Sequence, residues 1–339
     1  MSRIENELVS APEGVARVLG AGGCVGVAPL PEGVDTFKKL RVLVNAYGDM
    51  TSASARIRTW NRLASISDKV DVDIYSGNAG EVENADVVYL QKRANPVTFD
   101  LVNTAHAAGK KVVFDIDDHI GCSASEHLNK EMLCKADAIV VDTRFKRDEF
   151  SQYTSRPIEI IPDGIDYFTE WFDVKVENKV ESVCTFGWDH NVKAAIPAML
   201  ELSKKYKTAC ISNKPIPECE FIPWELPSFI DNLKRFDCAY LAHGDHPNDR
   251  LRCCNRLLTA LFCGLVTVVR DTPEYRETLA ELDATSLISS GPHSVAYQVS
   301  RLAEVRVPML ATIRPMIWER YRPEVGGEKL FKILEAHRA

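Results

Sequence analysis

The chain has 339 residues, of which 45% are apolar and 26% charged, and a net charge of −7. That length and apolar share allow about two globular domains with cores of their own, and the acidic balance excludes a general attraction to nucleic acid or to anionic membrane. Apolar runs stay far below the ~18 residues a membrane span needs, MSRIENELVS is no secretory leader, and the ten cysteines form no C-x-x-C pair, so thiols in a reducing, cytoplasmic setting are expected rather than disulfides or a zinc site.

In chain order, residues 1–37 read as an N-terminal extension with turns. VLGAGGCVG, with Gly20, Gly22 and Gly26, resembles part of a dinucleotide fingerprint, but VAPLPEG follows where the fingerprint needs a helix. A nicotinamide-dependent oxidoreductase is therefore a remote reading. From residue 40 the pattern sharpens. LRVLVNAY predicts a strand, GDMTSASARIR a small-residue loop, and the residues through Leu63 a helix. DVDIYS, ADVVYLQK and KKVVFDID predict strands, with PVTFDLVNTAHAAG a helix before the last of them. ADAIVVDT, RFKRDEFSQY and IEIIPDGID continue as strand, helix, then strand with an exit loop.

A second series opens near residue 180. ESVCTFGW, KTACIS, DCAYLAH and VTVVR predict strands; NVKAAIPAMLELSKKY, PSFIDNLKRF and DRLRCCNRLLTALFCG predict helices; SVAYQVSRLAEV and IWERYRPEVGGEKLFKILEAH close the chain as helices. Strands alternating with helices imply parallel, doubly wound sheets. The expected architecture is α/β, with an extension at 1–37, a first domain at 38–165, a second at 166–312 and a terminal helix at 313–339.

Chemistry-bearing residues gather at strand ends. FDIDDHI places Asp115, Asp117, Asp118 and His119 where an apolar run stops. Three readings stand: a metal site, a catalytic mouth for a hydroxylated substrate, or solvated caps and turns. His243 to His246 have H-x-x-H spacing, too few ligands for a metal, and Gly244 and Asp245 read as loop. Gly187 follows a predicted strand, with Asn191 and Lys193 in the first turn of the next helix, where a glycine lets phosphate approach the backbone. Arg252 and Arg256, four apart, would share a helix face beside Asn255 and could fork onto phosphate oxygens, or could simply be a solvated face.

The order of these pieces resembles a GT-B glycosyltransferase, most like the GT4 family, over about residues 40–335. The carrying segments are SASARIRTWNRL, VVFDIDD, ADAIVVDTRFKRDEF…IEIIPDGID, TALFCGLVTVV and IWERYR…LFKIL. One departure matters: the family's two glutamates, eight positions apart, are absent, the second aligning with Thr259 and the first near Leu251 or Arg252. The resemblance implies two Rossmann-like domains facing a deep cleft and a final helix crossing back to the first. It implies a nucleotide-sugar co-substrate, no further cofactor, no metal, and retention of configuration. Gly187, Lys193, Arg252, Asn255 and Arg256 would then bind the donor. Asp117, Asp118 or His119 would act on the acceptor hydroxyl, and Gly48, Ser52, Ser54, Arg56 and Arg58 would form a loop reaching acceptor or phosphate. Asp163 and Gly164 would form the entry to the second domain, with Gly164 permitting a tight turn. A glycan or lipid-linked sugar is the expected acceptor. A phage-type enzyme acting on a hydroxymethylated DNA base would need a local basic surface such as Lys38, Lys39 and Arg41 with Arg144, Lys146 and Arg147. A non-catalytic nucleotide-sugar-binding protein is the third reading.

Overall fold

The computed structural model describes residues 38–122, 126–167, 170–174 and 176–339, so Gly20, Gly22 and Gly26 lie outside the described residues. The described chain forms two compact units: residues up to Ile161 together with Gly326–Ala339, and Pro162–Val325.

The first unit is built on six strands: β1 (Leu40–Asn45), β2 (Val70–Ile74), β3 (Val87–Gln91), β4 (Lys111–Asp115), β5 (Ala138–Val141) and β6 (Ile158–Ile160). All pair in parallel, in the order β2-β1-β3-β4-β5-β6. Successive side chains of a strand point to opposite faces, and the core divides accordingly. Leu43, Val88, Leu90, Phe114 and Ile139 enter one apolar layer, with Leu101 and Val102 of the helix Pro96–Ala107 and Met132 and Leu133 of the helix Glu126–Lys135. Val42, Val44, Val87, Tyr89 and Val140 enter the other, with Trp60 and Leu63, and with Leu330 and Leu334 of the last helix, Pro323–Ala336. Leu330 and Leu334 are fully buried, each worth about 1.5–3 kcal/mol by removal from water, which ties the chain's end to the first unit.

The second unit repeats the plan with β7 (Ser182–Phe186), β8 (Lys207–Ser212), β9 (Glu220–Pro223), β10 (Cys238–Leu241), β11 (Val266–Arg270) and β12 (Ile288–Ser289), all parallel, in the order β12-β11-β10-β7-β8-β9. The stretch expected as one terminal helix holds two. Arg306–Tyr321 packs Leu310, Ile313 and Ile317 into the core of the second unit, with Pro315 on its exposed side, before Pro323–Ala336 begins. Among the described residues no helix is long and apolar enough to cross a membrane.

Two sequence expectations need correction. GDMTSASARIR is not a loop throughout: Ala53–Ala55 is helical, Arg56–Trp60 is a π-helical segment, and Asn61–Ala64 continues as α-helix. Arg56 and Arg58 point inward and are 3% and 0% exposed. The single helix expected from Asp249 to Gly264 is broken. A short turn covers Pro247–Arg250, the next helix starts only at Asn255, and Arg252 therefore shares no helical face with Arg256.

Candidate functional site

Ligands in open parallel sheets bind outside the carboxyl ends of the strands, at the point where strand order reverses. In the second unit that point lies between β7 and β10, and Arg256 occupies it. Its Nη1 donates to the carbonyl of Phe186, the last residue of β7, at 3.0 Å, and its Nη2 lies 3.2 Å from each ring nitrogen of His243, just past β10. His243 Nε2 is 2.9 Å from the Tyr275 hydroxyl. A ring that donates from Nε2 to Tyr275 leaves Nδ1 free to accept from Arg256. Burial, then Arg256, Arg252 and Arg270, push His243 well below the ordinary imidazole range, so it stays neutral and able to accept. Burial likewise raises Tyr275 to about 12, keeping the phenol intact. Arg256 meets no carboxylate at ion-pair distance among the described residues, and burial lowers its proton affinity. A desolvated cation without a counter-charge is costly, and an anionic ligand would remove that cost.

Gly187 faces this guanidinium. Its φ is +133°, and an added Cβ would sit 3.1 Å from Arg256 Nη1 and 3.2 Å from Asn191 Cβ. Only glycine keeps that space open without strain. Asn191 Oδ1 is buried with no hydrogen-bond partner among the described residues, an orphan at the same spot. Gly187 and Arg256 are thus brought together. Arg252 lies close enough to depress His190 and His243, and its Nε is 3.6 Å from Asp249. Lys193 is not part of the cluster: its side chain is 68% exposed, 3.8 Å from Asp189. Asn255 instead donates to the Gly164 carbonyl at 2.7 Å. Gly164 is required by close approach rather than by a turn, since a Cβ there would lie 2.3 Å from the Tyr321 carbonyl oxygen. Thr259, where the resembled family has glutamate, accepts from the Asp166 amide at 3.3 Å. Of the H-x-x-H pair, His243 is engaged by Arg256 and Tyr275.

A pH prediction follows from His243. The native ring stays neutral, whereas in the unfolded chain it takes up a proton below pH ~6.5. The unfolded state then binds more protons, so stability falls with falling pH, by up to about 1.4 kcal/mol per pH unit for this group. Urea unfolding between pH 7 and 5 should show this slope, and His243→Gln should flatten it. An unchanged slope would assign the acid loss to other groups.

The first unit carries its own polar cluster at the carboxyl end of β4. Asp115, fully buried, accepts from Arg58 Nε at 2.6 Å, Arg62 Nη1 at 3.2 Å and the Tyr89 hydroxyl at 2.7 Å. Asp117 accepts from Ser54 Oγ at 2.8 Å and pairs with Lys92 at 3.4 Å; Asp118 pairs with the same ammonium at 3.2 Å. Burial alone would raise the Asp117 carboxyl, but Lys92, Arg58, Lys146 and Ser54 outweigh it and hold it well below the carboxylate range. Asp117 is a fixed anion and a poor proton acceptor. The carboxylates of Asp115 and Asp117 are already matched by protein cations, which disfavours reading them as metal ligands. His119 Nδ1 accepts from the Gly121 amide at 2.8 Å and lies 3.1 Å from Glu149. Arg56 donates to the Met50 carbonyl at 2.6 Å, bracing the turn that holds Gly48 and Ser52.

Sequence reasoning overlooked Lys92, Gln91, Glu149 and Tyr275. Lys92 had a signal, a cation directly after the wholly buried run VVYLQ. Tyr275 had none, since its contact with His243 spans 32 residues and depends on strand order.

No family model matches the chain, and a search of curated proteins returns no match. Solved structures do match. The E. coli structure described as trehalose-6-phosphate bound with UDP-2-fluoro glucose aligns with TM-score 0.61 at 11% identity, over 88% of this chain and 99% of that one. An O-GlcNAc transferase from Thermobaculum terrenum aligns with TM-score 0.58 at 10% identity, over 92% and 70%. The lipopolysaccharide outer core galactosyltransferase WaaB aligns with TM-score 0.55 at 10% identity, over 88% and 99%. At such identities the likeness is one of fold. Two parallel six-stranded sheets covered by helices, aligning with these structures over 88–92% of the chain, give this chain the GT-B fold.

Proposed function

We propose that the protein is a glycosyltransferase, moving a hexosyl or pentosyl group from a nucleotide sugar to a hydroxyl acceptor. The observation that carries this is Arg256, held without a counter-charge beside Gly187 at the strand-order reversal of the second unit. As the glycosidic bond breaks, negative charge grows on the departing diphosphate, and a preorganised guanidinium offsets it. Trp188, just after β7, and Trp224, just after β9, have ring centroids 5.9 Å apart with planes tilted by 36°, and offer aromatic faces for the nucleobase. The family placement within GT4 and retention of configuration rest on the sequence resemblance, and the anomeric form of the product, read by NMR, tests the latter. On the acceptor side, Asp118 and His119 remain the groups for the acceptor hydroxyl, since Asp117 is committed to Ser54 and Lys92.

The DNA reading loses its supporting surface. Lys39 pairs with Asp71 at 3.5 Å, Arg147 with Asp148 at 2.9 Å, and buried Lys146 with Asp142 at 2.7 Å. Lys38 and Arg41 lie at the amino end of β1, whereas Arg144 follows the carboxyl end of β5. Parallel strands place these groups at opposite edges of the unit. A glycan or lipid-linked sugar fits better.

Incubation with a panel of nucleotide sugars, reading nucleoside diphosphate release, tests the proposal. Release from at least one donor is expected, and none from any donor would favour a non-catalytic binder. Turnover should persist in excess EDTA, because the reaction is proposed to run without a metal. Strict dependence on Mg²⁺ or Mn²⁺ would reverse the reading of Asp115 and Asp117.

A further inference from the structure

The strand order of the first unit also reverses, between β1 and β3, and the loops leaving these two strands carry Tyr47, Lys92 and Arg93. Three features set this place apart. First, the loops are cross-tied: the Tyr47 amide donates to Gln91 Oε1 at 2.9 Å, Gln91 Nε2 donates to Ser54 Oγ at 2.7 Å, and Ser54 donates to Asp117. Second, Lys92 has φ +70°, a left-handed backbone conformation that is strained for a non-glycine residue and concentrates at ligand sites. Third, the exposed Arg93 guanidinium lies 4.6 Å from the centre of the half-exposed Tyr47 ring and meets no carboxylate at ion-pair distance among the described residues. Lys92, in contrast, is already matched by Asp117 and Asp118.

We infer that this end of β1 and β3 binds a hydroxylated acceptor that also carries a phosphate or carboxylate group. Arg93 supplies a free fork for two anionic oxygens, the Tyr47 ring supplies an apolar face for a sugar ring, and Asp118, 38% exposed, can accept from sugar hydroxyls. The loop runs on into the helix Pro96–Ala107 through the capping box of Asn95 and Thr98, whose amino end adds a favourable field for an anion. The inference rests on the transferase reading for the word acceptor but not for the binding itself.

The test is calorimetry on the full chain with glucose 6-phosphate, glucuronate and glucose, run on the native protein and on Arg93→Gln, Tyr47→Ala and Arg256→Gln. The two anionic sugars should bind at least tenfold more tightly than glucose. Arg93→Gln should remove that preference, Tyr47→Ala should weaken all three sugars, and Arg256→Gln should change none. Equal binding of charged and neutral sugars would overturn the inference. So would anion binding lost with Arg256→Gln and kept with Arg93→Gln, which would place the anion in the second unit. Failure of the donor reading shows elsewhere, as nucleoside diphosphate affinity indifferent to Arg256.

Discussion

Asp115→Ala is expected to destabilise the first unit by about 3–5 kcal/mol, the usual consequence of removing one partner from a buried ion pair. Asp115 is the hub of Arg58, Arg62 and Tyr89, and both arginines are at most 2% exposed. Without the carboxylate, Arg58 keeps the more distant Asp142, at 3.7 Å. Arg62 loses its Asp115 contact at 3.2 Å and retains the Ile161 carbonyl at 2.9 Å. Asp115→Asn keeps the shape and some hydrogen bonds while removing the charge, so its loss should be smaller but still clear. Urea unfolding of the three proteins at pH 7 makes the comparison. A loss below about 1 kcal/mol in the alanine variant would mean that water or a relaxed backbone solvates the arginines, and that the network is not the anchor of the β4 end.

This cluster also shows where sequence reading stopped. The acidic run at the end of β4 was legible, because KVVFD is a buried strand ending in carboxylates. The arginines that meet it were not. Gly, Ser and Thr around Arg56 and Arg58 read as a loop, but a π-helical segment turns both side chains into the core. Strands buried on both faces, such as β3, β5 and β10, announced themselves as continuous apolar runs. Edge strand β9 exposes three of its four residues, and β12 has only two, so neither left a pattern. The helix Pro273–Glu281 was missed although Thr272 and Pro273 mark its start: the Thr272 hydroxyl accepts from the Tyr275 amide at 3.3 Å. Helix Glu126–Lys135 is polar on most of its surface, burying only Asn129, Met132 and Leu133.

In the second unit, Gly187 and Arg256 were legible as a glycine turn after a strand and an arginine near a helix start. The four-residue spacing that tied Arg252 to Arg256 was misleading, because the chain is not helical from Leu251 to Cys254. What holds Arg256 in place, His243 with Tyr275 behind it, emerges only when β10 and β7 lie side by side.

The diphosphate of a nucleotide sugar is proposed to bind at Gly187 and Arg256. Calorimetric titration of native protein and Arg256→Ala with uridine, guanosine and adenosine diphosphates tests it most directly. Loss of one charge-assisted contact typically costs about 1.5–3 kcal/mol, roughly ten- to hundredfold in affinity. A loss of that size is expected for whichever diphosphate the native protein binds, with a single cooperative unfolding transition retained even though the hydrogen bonds to Phe186 and His243 are given up. Unchanged affinity in a normally folded Arg256→Ala protein would contradict it.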